Sequence, residues 1–267
     1  MKGILDKLTV ILRRDLLTAM RYRSGFLLAG GAAAAELAAF YFLSRAIGPD
    51  FRPQGLDYFS FLVVGTGFYT FMLMGVHAFL NIVQQAQQAG TLEVLMTSST
   101  RAPTLIILSA VSAFAGNALQ LLLYIGGGLI MSGVWAGDLN LGSTVVVFLL
   151  SLLVAVAIGI FAATLQLTMQ KGSAVVWLMG SGAWFMTGTL FPVATLPPFL
   201  RDISQWIPIT HSLNAMRMAL FDGVGLWQLR GEIGVLLAFA GTLLPLSLLL
   251  FSQALRRARL EGTLSSY

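Results

Sequence analysis

Residues 191–223 read FPVATLPPFLRDISQWIPITHSLNAMRMALFDG and lie between two long apolar runs. Pro192, Pro197, Pro198 and Pro208 cut this stretch into short pieces, because proline cannot continue a helix beyond its first turn. The pieces are amphipathic: Phe199, Ile203 and Trp206 in one, Leu213, Met216 and Leu220 in the next. The stretch is too polar to span a bilayer and too apolar for an open loop. It therefore predicts short re-entrant helices at a membrane face, since irregular backbone survives at membrane depth only against protein or a cavity. Such a wall suits the outer mouth of a transporter.

The flanking sequence sets the class. Of 267 residues, 57% are hydrophobic and 10% charged, against about 25% charged in a soluble domain. A helical span needs about 20 apolar residues. Six runs qualify, near Phe26–Ile47, Tyr58–Leu80, Thr104–Val134, Leu141–Thr168, Ser173–Phe191 and Ile233–Leu255. The expected fold is an all-α membrane protein of one domain, residues 1–267: an interfacial amphipathic helix over 4–22, six transmembrane helices, and the re-entrant segment 192–223 between spans five and six. In the first helix Ile4, Leu8, Ile11, Leu12 and Leu16 share a face opposite Lys7, Arg13, Arg14 and Arg21, the pattern of a helix lying among lipid headgroups. No signal-peptide core opens the chain, so no cleaved leader is expected.

With the N-terminus in the cytoplasm, eleven Lys and Arg fall inside and five outside, all 16 in the chain. The positive-inside rule therefore places both termini in the cytoplasm. It also makes the formal charge of +5 an orientation signal and an anionic-lipid contact, rather than a nucleic-acid footprint. The polar stretch 84–103, QQAQQAGTLEVLMTSSTRAP, becomes a cytoplasmic loop whose Leu92, Leu95 and Met96 suggest a docking surface.

Few motifs carry chemistry. There are no cysteines, hence no disulfide or thiolate site. No GxxxxGK[ST] phosphate loop occurs, and His77 and His211 lack metal-ligand spacing. No catalytic residue and no metal site are expected. The glycines of Gly65–Gly67 sit in an apolar run and read as packing positions. Glu36 is the one acid within an apolar run, at a cost of at least about 2.5–3.5 kcal/mol. It either hydrogen-bonds Asn117, Gln120 or His77, or serves as a substrate-headgroup contact or proton site.

Two motifs resemble the ABC-2 type permeases, the membrane subunits of a class of ATP-binding-cassette exporters. Gly90, Thr91, Leu92, Glu93, Leu95 and Thr97 resemble that family's GTLExLxxT coupling segment. Gly188, Phe191, Pro192 and Pro197, followed by Pro208, Thr210 and Arg217, resemble its outer signature. Two departures stand out: Ser98 follows the coupling threonine where a proline is common, and His211 stands where a tyrosine is frequent. The resemblance implies an exporter subunit without nucleotide chemistry, with ATP and Mg on a separate ATP-binding subunit. It implies a second permease copy, membrane lipids around the pair, and residence in the inner membrane. The cargo expected is a lipid-linked glycan, a lipid or an amphipathic drug-like molecule. It would pass a dimer interface for which Glu36, Phe68, Tyr69, Trp184 and Phe185 are the candidate lining. The alternative is a proton-coupled secondary transporter using Glu36.

Overall fold

The computed structural model describes residues 23–88, 120–133, 139–169 and 171–261. Every regular element among them is helical. Helix α1 (Arg23–Ile47) is about 37 Å long at 1.5 Å per residue. It stops at Gly48, whose φ of 98° is the left-handed turn that releases a chain from a helix. A short 3₁₀ turn, Pro53–Gly55, leads into α2 (Tyr58–Gln88). Helix α3 (Gln120–Ser132) ends the same way as α1, at Gly133 with φ 67°.

Helix α4 (Leu141–Met169) begins at a built cap. The Asn140 side chain accepts the Ser143 N–H at 3.1 Å and donates to the Gly223 carbonyl at 3.4 Å. One residue thus starts α4 and ties it to the end of the proline-rich segment. Helix α5 (Gly172–Trp177) passes through a π-helical stretch, Leu178–Ala183, into a last turn, Trp184–Met186. Two short helices follow, α6 (Pro198–Gln205) and α7 (Pro208–Phe221). Each opens on a proline, which fits the first helical turn because no N–H is needed there. Helix α8 (Arg230–Glu261) closes the described chain.

Among the described residues, three helices are long and apolar enough to cross a membrane: Tyr58–Gln88, Leu141–Met169 and Arg230–Arg257. The fold is that of a multi-pass helical membrane protein. Helix α2 is its axis, packed on α1, α4, α5 and α7, while α8 lies along α4. The core is aromatic: Phe68, Phe71 and Phe148 form a cluster with centroids 5.1–6.4 Å apart. Small residues set the spacing, as expected where van der Waals contact drives helix association. A side chain at Gly159 would meet the Phe79 ring at 2.8 Å.

The structure corrects two boundaries. The fifth apolar run was expected to span from 173 to 191, but its helix stops at Met186. Fifteen residues rise only about 22 Å, short of the ~30 Å hydrocarbon. Gly188, at φ 77°, turns the chain away, and the carbonyls that would prolong the helix are used elsewhere. The second run extends further than its apolar residues, because Gln84–Gln88 stay helical. Gln166 of α4 holds them: it accepts from Gln84 and donates to Gln87, both at 3.4 Å, and accepts the Gly172 N–H at 3.2 Å. This glutamine end joins α2, α4 and the tight turn into α5. The interfacial helix over 4–22, the coupling residues Gly90, Thr91, Leu92, Glu93, Leu95 and Thr97, and the first half of the third run lie outside the described residues.

Candidate functional site

Two polar assemblies and one cavity stand out against the apolar bundle. The first centres on Arg217 of α7, which is 3% exposed. Its Nη1 donates to the Gly188 carbonyl at 2.8 Å, and its Nη2 to the carbonyls of Phe61 and Thr189 at 3.1 and 3.2 Å. The guanidinium carbon lies 3.5 Å from the centre of the Phe61 ring, a cation–π contact in a desolvated place. Burial pushes the guanidinium down, to about 9, which leaves it charged at neutral pH. Among the described residues, neutral carbonyl dipoles and an aromatic face hold the charge, with no carboxylate among its partners. Gly65 explains how the group fits, because a side chain there would occupy the place of the Arg217 guanidinium and the Thr189 carbonyl.

This knot joins α2, α7 and the chain leaving α5. Around it, Ser204 of α6 donates to the Met186 carbonyl at 2.6 Å, and the Tyr58 hydroxyl donates to the Leu190 carbonyl at 3.3 Å. Of the outer-motif residues, Gly188 and Arg217 meet directly. Pro208 is buried at the start of α7, and Pro197 precedes α6 with an extended ψ of 149°. The Pro192 carbonyl accepts the Thr195 hydroxyl at 2.7 Å, and Phe191 is partly exposed. These last three shape the strap rather than touch the arginine.

The second assembly lies at the same end of the bundle. Gln54 donates to Asn214 at 3.1 Å, Asn214 donates to Glu232 at 2.7 Å, and His211 Nδ1 meets the other Glu232 oxygen at 2.5 Å. His211 Nε2 lies 2.9 Å from the Gln205 carbonyl. Both ring nitrogens therefore face acceptors, an arrangement that favours the doubly protonated ring. The bond to Glu232 holds His211 above its ordinary value, while burial pulls the other way. The row ties the first loop, α6, α7 and α8 together. Sequence reasoning missed Gln54, Asn214 and Glu232. One signal was available: His211, Asn214 and Arg217 recur every third residue on one amphipathic helix.

The cavity, about 240 Å³, lies between α1, α2 and α3. Glu36 lines it with Thr70, Phe71, Gln120 and Tyr124. The Tyr124 hydroxyl sits beside the Glu36 carboxylate without a well-formed hydrogen bond. Of the partners expected for Glu36, Gln120 is at the cavity, His77 is not among its lining residues, and Asn117 lies outside the described residues. Phe68 and Tyr69 turn inward instead, 1% and 2% exposed. Phe68 joins the aromatic core, and the Tyr69 hydroxyl donates to the Met179 carbonyl. Trp184 is half-buried and Phe185 exposed, their rings edge to face at 5.1 Å.

A bundle of long apolar helices braced by a buried polar knot defines a polytopic membrane protein as the class. Residues 43–249 match the sequence model of the ABC-2 family transporter proteins, and the chain belongs to that family. Its members are membrane subunits that work with a separate ABC ATP-binding subunit. No curated protein matches the chain.

Proposed function

We propose that this chain is the permease subunit of an ATP-driven exporter, carrying an amphipathic cargo along the interface between two copies. The family match over residues 43–249 carries this reading. The distribution of polarity supports it. The proline end, with Arg217 and His211 at its centre, is cross-linked by hydrogen bonds and would face outward as the rigid cap of the pathway. The glutamine end would face the cytoplasm and carry the coupling segment Gly90–Thr97. There Leu92, Glu93 and Leu95 would enter a groove of the ATPase. Nucleotide-driven approach of two ATPases would pull on these loops and open the pathway outward. Such transfer requires that the partner bind the two states of the permease unequally. Glu36, Trp184 and Phe185 remain the lining this reading assigns to the pathway.

Co-purification of the permease with a soluble subunit bearing GxxxxGK[ST], and cargo-stimulated ATPase activity in proteoliposomes, test the reading. Glu93→Ala is expected to uncouple hydrolysis from export or to weaken the complex. Full stimulation with full export in that variant would refute the coupling role. Uphill transport by the permease alone, without nucleotide, would refute the subunit assignment and favour a Glu36 proton carrier.

A further inference from the structure

We propose that the cavity between α1, α2 and α3 is the headgroup site of a cationic amphiphile, a membrane-soluble molecule bearing a primary or secondary amine. Calling that molecule the cargo rests on the permease reading; the site itself does not.

Four observations lead to this ligand. First, Glu36 lines the cavity, and no cationic side chain is among the lining residues described. Glu36 is itself exposed on α1, and a carboxylate on so apolar a helix needs a positive partner or a proton. Second, the neighbouring groups suit an ammonium. The Tyr124 hydroxyl is buried beside the Glu36 carboxylate without a well-formed hydrogen bond, and Gln120 and Thr70, also in the lining, carry side-chain oxygens. An amine with N–H bonds can donate to Glu36 and Tyr124 together, which a quaternary ammonium cannot. Third, the space is right for a head and not for a whole lipid: about 240 Å³, below the ~300–1,000 Å³ of a pocket enclosing a complete drug-sized ligand. Fourth, the rim residues Ala32 and Gln120 are exposed, so an attached chain can remain outside in lipid. The small side chains of Ala32 and Ala33 and the bare Gly67, which lies under the Tyr124 ring, keep the space open.

The test uses the full-length permease in phosphatidylcholine nanodiscs, without ATP, and three probes of equal chain length: octadecylamine, octadecanol and octadecanoate. Thermal unfolding is the readout, because a ligand that binds only the folded state raises Tm. Octadecylamine is expected to raise Tm by about 3–6 °C, with no rise from the alcohol or the carboxylate. Glu36→Gln should abolish the shift. Ala33→Leu, which fills the cavity and keeps the carboxylate, should abolish it too, and it carries the comparison if the first variant does not fold. An equal shift with octadecanol would reduce the site to apolar filling. An amine shift surviving in the cavity-filled variant, or no shift in the wild type, would overturn the proposal. Neither result touches the permease reading, whose own failure would be the absence of a partner ATPase.

Discussion

Helices α2 and α8 have nearly the same length, and both are apolar enough to cross a bilayer, yet they occupy opposite places. In the apolar window of α2, 83% of residues are buried within the protein; in that of α8, 17% are. Helix α2 carries Ser60, Gly65, Thr66, Gly67 and Gly75, while α8 exposes Leu237, Leu246, Leu248 and Leu249. A soluble protein sorts the other way, with leucines inside and polar residues out. In a bilayer, lipid tails are as apolar as leucine, so hydrophobicity does not choose the centre. The centre goes to the helix whose small residues admit close neighbours.

Matched substitutions break or sharpen this contrast. The largest effect is expected for Gly65→Leu against Gly241→Leu. Gly65 faces the Arg217 guanidinium and the Thr189 carbonyl, whereas Gly241 faces open space. The first should leave almost no monodisperse protein on size exclusion; the second should fold normally and gain about 0.5–1 kcal/mol of helix propensity. Equal behaviour would dissolve the distinction between axis and rim. Next comes Arg217→Met, which strands three carbonyls at the junction of α2 and α7. A loss of about 3–5 kcal/mol is expected in denaturant titration. Arg217→Lys should recover only part of it, because an ammonium lacks the planar fork.

A third pair compares packing alone. Phe79 is 1% exposed and Leu249 is 61% exposed. Phe79→Ala should cost about 3–5 kcal/mol and Leu249→Ala under ~0.5 kcal/mol, both read as shifts in Tm. The smallest effect concerns pH, through the row that fastens α8 to α7. His211 titrates above its ordinary value because of Glu232. The link is therefore complete below about pH 6.5 and is lost as pH rises through the raised His211 value. A loss of stability is expected across that rise, and His211→Gln should flatten it. An unchanged slope in the variant would place the titration elsewhere.

The residues that made the outer segment legible acted locally. Prolines at 197, 198 and 208 act through their own rings, and α6 and α7 begin at the last two of them, although Pro245 is carried inside α8. The amphipathic spacing within each was legible too, but what each apolar face meets was not. Phe199 and Trp206 of α6 are 71% and 79% exposed, while Leu213 and Met216 of α7 are 0% and 3%. Periodicity marks a face without naming its neighbour. The helix of the fifth run ends short of its apolar residues for a similar reason, because Arg217, thirty-one residues beyond Met186, helps decide where it stops.

From the chain alone come the membrane class, the apolar runs, the helix breaks at proline, and the resemblance that the family match bears out. All of these depend on composition or on residues within a few turns of each other. Only the tertiary structure decided that α2 is the axis, that Arg217 closes on Gly188 and Phe61, that Glu232 answers His211, and that Glu36 borders an open cavity with Tyr124. Those outcomes join residues 21 to 156 positions apart. In an apolar solvent such pairings turn on which small residues let backbones approach, and a linear pattern does not record that.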